Sequence, residues 1–341
     1  MAAGAEVLTG APLERPAAQA PGPRVSIVIP TFNRVAMLRE AVESALAQRF
    51  DDLEVLVSDN ASEDGTREAM DAYRSDPRFR YLRNETNLGM VGNWRKAVFE
   101  AARGEFFLIL SDDDTLLDPG YVAKAMALVD RHPDVVIVYA NGYILDEGSG
   151  VRRELRLPFG SLEKGTTVFA SRDRVRPQDF TLCNVLFRRR LALELDAFRD
   201  PFNLSCDSEL FLKACLFGNV GVIHDFVSQY RIHGANLIFR RHEDPRYYAA
   251  NLDYFLEPRR LAIARGALTP RQLRAFDRMA RRSMRRTIEA VGEHHPAHLR
   301  GLVRRLWSAE PGLTLRVLCQ PRLHARLAWQ ALRRRLGGRS R

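Results

Sequence analysis

With 341 residues, 46% of them hydrophobic, the chain is long enough to bury one large α/β core and an appendage. No apolar run approaches the ~18 to 20 residues of a membrane-spanning helix. Four cysteines, Cys183, Cys206, Cys215 and Cys319, lack CxxC spacing, which argues against a zinc site or a disulfide framework and fits a reducing cytoplasm. The net charge of +10 is unevenly held: residues 257–341 carry 21 arginines, no lysine and 5 acids, while residues 1–256 are net acidic.

Residues 1–23 are rich in Ala, Pro and Gly and lack a basic segment leading into an apolar block, so a flexible arm is expected rather than a secretory signal. Val25 to Ile29 reads as a short β-branched strand ending at Pro30-Thr31-Phe32-Asn33-Arg34. From about Arg34 to Gln48 apolar residues recur at helical spacing. Leu53 to Ser58 is the next strand, ending at Asp59, and Asp64-Gly65-Thr66 opens a helix to about Tyr73. Phe79 to Leu82 makes a third strand, and a helix from about Val91 to Arg103 stops at Gly104. Phe106 to Leu110 is a fourth strand, followed by Asp112, Asp113 and Asp114; Asp118-Pro119 then predicts a helix start. Beyond it come a helix to about His132 and a strand from Val135 to Leu145. Residues 146–180 read as pocket-shaping loops. Leu186 to Arg190 leads into a short helix, and Cys206-Asp207-Ser208-Glu209 precedes a helix from Leu210 to Phe217. Val220 to Ile223 and Val227 to Ile232 are strands, the latter reaching His233.

Strands alternating with helices imply a mostly parallel sheet with right-handed crossovers. The polar residues of interest stand at strand ends, and in a parallel sheet those ends share one edge, so Thr31, Asn33, Asp59 and the Asp triplet converge on one crevice. Three adjacent carboxylates need a cation or several donors to stay ionised, and hard oxygen ligands favour Mg²⁺ or Mn²⁺; the alternative is a solvated acidic turn. The first loop carries neither GxGxxG nor GxxxxGK[ST], which disfavours a redox dinucleotide fold and a P-loop NTPase.

The segments VSIVIPTFNR (25–34), VSDNASEDGT (57–66), NETNLGMVGNWRKAV (84–98), LSDDDTLLDPGYV (110–122), NVLFRRRLALELDAF (184–198), CDSELFLKACLFG (206–218) and YRIHGAN (230–236) resemble, in order and spacing, family 2 of the inverting nucleotide-sugar glycosyltransferases. The resemblance implies a GT-A fold over residues 24–255, a mostly parallel sheet flanked by helices in which a Rossmann-like nucleotide half precedes an acceptor half. It implies that Pro30, Thr31, Asn33 and Arg34 lie near the base and ribose of a nucleoside-diphosphate sugar, and that Asp59 accepts a hydrogen bond from the base unless it only caps the next turn. Asn87, Gly89 and Asn93 would line the diphosphate and sugar, Gly89 alternatively forming only a turn, and Arg231 would grip the diphosphate or hold an internal ion pair. The triplet matches the family's DxD element, with Asp112 and Asp114 as ligands of Mn²⁺ or Mg²⁺, Asp113 beside them at the donor, and His233 as a further ligand. Asp207 matches the base that deprotonates the acceptor hydroxyl and doubles as a candidate N-cap, with Glu209 completing a capping pattern. The acceptor implied is a glycan or a lipid-linked glycan of the bacterial cell surface. Ser111 and Cys206 stand where relatives carry acids, which leaves a catalytically inactive, transferase-like binding protein as the alternative.

Residues 256–341 form an Arg-rich helical extension outside the resemblance. Thr269-Pro270 begins a helix with Leu273, Phe276, Ala280, Met284, Ile288 and Val291 in one stripe, and Pro321 to Leu336 repeats the theme with Leu323, Leu327, Ala331 and Leu336. The stripes suit packing on the parent domain, and the arginines suit an anionic membrane surface, placing the protein peripherally on the inner face of the cytoplasmic membrane. Nucleic acid is not an expected partner, because no zinc module, aromatic RNA-binding strand signature or recognition helix is present.

Overall fold

The structure, a computed structural model, describes residues 22–171, 174, 180–234, 236 and 244–337, with side chains to residue 333. Most of the arm at 1–23, part of the loop at 146–180, Ala235 and the side chain of Leu336 lie outside the described residues. The first half runs β1 (Val25–Thr31), α1 (Val35–Leu46), β2 (Leu53–Asp59), α2 (Thr66–Met70), β3 (Phe79–Arg83), α3 (Gly89–Lys96) and β4 (Phe106–Ile109). Every residue of β1, β2 and β4 is buried, as expected of strands covered on both faces. These strands pair in parallel in the order β3-β2-β1-β4, so their C-terminal ends share one edge.

The second half departs from the parallel pattern. After β5 (Thr115–Leu116) and α4 (Tyr121–Arg131) come β6 (Val135–Asp146), β7 (Val151–Leu155), β8 (Leu162–Lys164) and α5 (Gly165–Ala170). Then follow β9 (Val185–Arg188), α6 (Arg189–Glu194), α7 (Cys206–Ala214) and β10 (Asn219–Ile232). β9 is inserted antiparallel between β4 and β6, β6 pairs in parallel with β10, and β5 closes the sheet antiparallel to β10. β10 is one strand with register shifts between Ile223 and Gln229, where two strands were expected. The supposed loop region contributes the β6–β7 hairpin, β8 and α5.

Two boundaries moved for local reasons. α4 starts at Tyr121, not Pro119, because Leu117 and Asp118 still donate their N–H groups to the Val227 carbonyl; the Asp118 carboxylate instead accepts from Gly120 N–H at 2.8 Å. Gly104 does not stop a helix, since Ala102 is already extended. A Cβ at Gly104 would lie 2.5 Å from Ser26 N and from Phe106 O, so the close approach of β1 and β4 requires glycine there.

The C-terminal helices are α8 (Pro245–Ala250), α9 (Asp253–Ala264), α10 (Pro270–His294), α11 (Leu299–Ala309), α12 (Pro311–Leu318) and α13 (Pro321–Gly337). α11 and α12 were not anticipated. Phe276, Ala280, Met284, Ile288 and Val291 of α10 are buried, and Phe276 stacks on Phe169 of α5 with centroids 4.3 Å apart. One apolar core therefore runs from Tyr139 and Phe211 under the sheet to Leu306, Val317 and Leu323. On α13 the inward residues are Leu323, Leu327 and Gln330, whose Nε2 donates to the Glu289 carbonyl and to Glu293; Ala331 is exposed. α10 begins with a complete capping box between Thr269 and Gln272. Thr269→Ala is expected to cost about 1 kcal/mol, read as a lower denaturant midpoint at unchanged slope.

Candidate active site at the strand ends

The loop after β4 carries the Asp triplet, and its shape is set from far along the chain. β5 is held by Ser228 and Gln229 of β10, and Arg231 N–H donates to Asp114 Oδ1 at 2.9 Å. The three carboxylates are buried but point to different partners. Asp112 Oδ2 accepts from the Thr31 hydroxyl at 2.8 Å, and its Oδ1 from Arg34 Nη1 at 3.1 Å. Asp113 Oδ2 accepts from Arg34 Nη1 at 2.7 Å, lies 2.9 Å from His233 Nε2, and accepts from Asn236 Nδ2 at 3.3 Å. Asp114 points inward, next to Cys183, and its Oδ2 is buried without a hydrogen-bond partner.

Electrostatics follow from this crowding. Burial pushes the Asp112 carboxyl up to about 6, with Arg34 pulling the other way and Asp113 reinforcing the rise. Burial also raises Asp114 well above the usual carboxylate range, with Asp113 and Asp112 adding to it. The Tyr230 hydroxyl is raised by burial and then by the fields of Asp114, Asp113, Cys183 and Asp207.

His233 thus pairs with Asp113, not with Asp112 or Asp114, the two carboxylates expected as metal ligands. Among the described residues no three His, Cys, Asp or Glu side chains are grouped to hold a metal ion. The donor set still fits a hard divalent cation: Asp113 and His233 present an oxygen and an imidazole, and such ions commonly take only one or two carboxylates, completing their shell with water and substrate phosphates.

The other expected residues divide into rim and scaffold. Pro30 is buried at the end of β1, beyond Val28, where the ladder to β4 stops. Asn33, at φ +54°, accepts from Glu63 N–H at 2.8 Å and donates its own N–H to Ser62, tying the first loop to the β2–α2 loop. Asp59 is fully buried: Oδ1 accepts from Ser62 N–H at 2.8 Å, and Oδ2 from Tyr81 at 2.5 Å and Arg83 at 2.9 Å. Asn87 and Gly89 are exposed on the rim, the Asn87 side chain accepting from Gly89 N–H and from Asn60. Asn93 was expected to line the diphosphate. It is instead buried, its Oδ1 accepting from Ser58 and Asn84 and its Nδ2 donating to the Ser58 carbonyl, so it clamps α3 to β2. The Arg231 guanidinium is engaged by Glu40 of α1, with Glu147 at 3.8 Å, which is the internal ion pair of the two readings.

Asp207 lies in the first turn of α7, which starts four residues earlier than expected, with Ser205 at the cap position. Its Oδ1 accepts from Ser208 N–H at 2.6 Å. Glu209 forms no capping box; it accepts from Asn203 at 2.7 Å and pairs with Lys213. Asp207 is half-buried. Tyr81, Arg83, Asn60, Ser62, Cys183, Tyr230 and Asn236 were missed as site-forming residues. Only Asn60-Ala61-Ser62 and the Gly234-x-Asn236 turn carried a signal, small polar residues at strand ends.

A parallel half joined to a mixed half, with acidic residues at the shared edge, is a GT-A glycosyltransferase architecture. Solved structures with this fold include S. aureus TarS residues 1–349 in complex with UDP (TM-score 0.57, 17% identity, 89% of this chain and 87% of that one). Another is the mannosyltransferase PcManGT from Pyrobaculum calidifontis in complex with GDP-Man and Mn²⁺ (TM-score 0.51, 19% identity, 94% and 90%). Residues 26–195 match the model described as Glycosyl transferase family 2, and the chain belongs to that family. An uncharacterized protein of Mycobacterium tuberculosis is 27% identical over 228 residues, 66% of this chain and 63% of its own length. The GalNAc(5)-diNAcBac-PP-undecaprenol beta-1,3-glucosyltransferase of Campylobacter jejuni is 39% identical over 129 residues, 37% of this chain and 40% of that enzyme. The chain thus spans less than two thirds of these relatives.

Proposed function

We propose that the protein transfers a sugar, with inversion, from a nucleoside-diphosphate donor to a glycan or lipid-linked acceptor in bacterial cell-surface polysaccharide synthesis, and that residues 24–255 carry the chemistry. The observation that supports this reading is one hydrogen-bonded cluster in which Thr31 and Arg34 of the first loop, Asp112 to Asp114, and Arg231 and His233 meet. The acceptor class draws on the Campylobacter relative, whose name specifies a PP-undecaprenol-linked glycan.

In this reading Asp113 and His233 would hold Mn²⁺ or Mg²⁺, in place of the expected Asp112 and Asp114. The bound cation would neutralise charge on the departing nucleoside diphosphate. Asp112 keeps Thr31 and Arg34 oriented toward the donor, and Asp114 fixes the start of the His233 segment through Arg231 N–H. Asp207, in the first turn of α7 and one of the charges whose field reaches Tyr230 together with Asp113 and Asp114, takes the proton of the acceptor hydroxyl as it attacks the anomeric carbon.

Thermal melting tests the donor site. One of UDP, GDP or dTDP is expected to raise the melting temperature, and to raise it further with Mn²⁺, since a ligand confined to the folded state at 100 times its Kd adds about 2.7 kcal/mol. No response to any nucleotide, with or without Mn²⁺, overturns the reading.

A further inference from the structure

We propose that the outer face of the α11–α13 layer is a membrane-contact surface that seats the protein on an anionic lipid bilayer. α11, α12 and α13 each pack on α10, and α12 touches both of its neighbours, so the three form a layer over that helix. They press Leu302, Leu306, Leu313, Val317 and Leu323 inward. On the outside they leave Trp307 48%, Leu315 51%, Trp329 46% and Leu332 54% exposed. Large apolar side chains collected at one end of a chain mark a contact surface more than a solvated one.

The charge around them selects the partner. Residues 299–341 contain eleven arginines and a single acid, Glu310, which is engaged by Arg259 at 2.8 Å. Arg300, Arg304, Arg316 and Arg322 are exposed and have no carboxylate partner among the described residues. The Arg326 and Arg333 guanidinium groups lie 5.0 and 5.4 Å from the centroid of Trp329, so cation and indole stand at one level. Indole rings favour the headgroup layer, and arginines there meet lipid phosphates. A second copy of the chain would bring like charge against like. Among the described residues no helix is long and apolar enough to cross a membrane, so the contact is interfacial. The α10 stripe plays no part, because Phe276, Ala280, Met284, Ile288 and Val291 are already buried.

The contact needs no nucleotide, so its failure is distinct from failure of the transferase reading. The full chain is mixed with vesicles of phosphatidylcholine alone or with phosphatidylglycerol. Trp94 is 7% exposed, so an emission change on vesicle addition reports on Trp307 and Trp329. The expected result is a blue shift with anionic vesicles, quenching by brominated lipid, and loss of both in Trp307→Ser/Trp329→Ser. Arg300→Gln/Arg304→Gln/Arg322→Gln is expected to weaken binding by about fivefold per arginine before screening, and salt to weaken it further. Unquenched tryptophans in the unaltered protein, equal binding to neutral vesicles, or capture of duplex RNA with vesicles ignored would each overturn the proposal.

Discussion

Asp113→Asn is expected to lower transfer by about 10³ and to abolish the extra nucleotide stabilisation that Mn²⁺ brings. The amide keeps the size of the carboxylate and removes the charge beside His233 and Arg34. A cation at a departing diphosphate supplies several kcal/mol, and each 1.36 kcal/mol is a factor of ten in rate, which sets the magnitude at about 10³. Melting curves with nucleotide, with and without Mn²⁺, check the binding half, and product formation from the responding nucleotide sugar checks the other. Asp114→Asn is the control. Its Oδ1 serves a backbone N–H, so it is expected to lower stability while leaving the Mn²⁺ response in place. The opposite pattern, with Asp114→Asn losing the response and Asp113→Asn keeping it, would restore the ligand assignment suggested by the sequence.

Asp207→Asn is expected to reduce kcat by about 10² to 10⁴, the range for a positioned general base, while nucleotide-induced stabilisation is unchanged. An asparagine oxygen can still accept from Ser208 N–H, so the start of α7 has no reason to fray. A variant with wild-type turnover would remove Asp207 from the base role and leave it a local backbone partner. Steady-state rates at saturating acceptor, compared with melting curves of the same preparation, separate the two.

The parallel half, β1 to β4, was legible because its signals are local. Val25 to Ile29, Leu53 to Ser58 and Phe106 to Leu110 are short, mainly apolar runs, interrupted only by Ser26 and Glu54, each ending in polar residues, and a parallel strand covered on both faces leaves that pattern. The orientation of individual carboxylates was not legible. Which Asp faces His233 depends on β5 pairing with Ser228 and Gln229, a contact across more than a hundred residues that no local spacing encodes. The same holds for Asn93, whose neighbours Ser58 and Asn84 lie on other elements. In the extension, α10 was visible as a long stripe, whereas α11 and α12 are short helices separated by Glu310 alone and offer too few turns for a periodicity to emerge. Gln330 misled in the other direction, since a polar residue occupies the inward position on α13.

The shared core also determines how the polypeptide can be divided. Residues 255 and 256 fall inside α9, which lies against α7, the helix that carries Asp207. Scission there would strip Phe169 of its stacking partner Phe276 and leave the flank of the sheet greasy and wet. A fragment ending there is expected to aggregate, and the full chain is expected to melt in one cooperative transition.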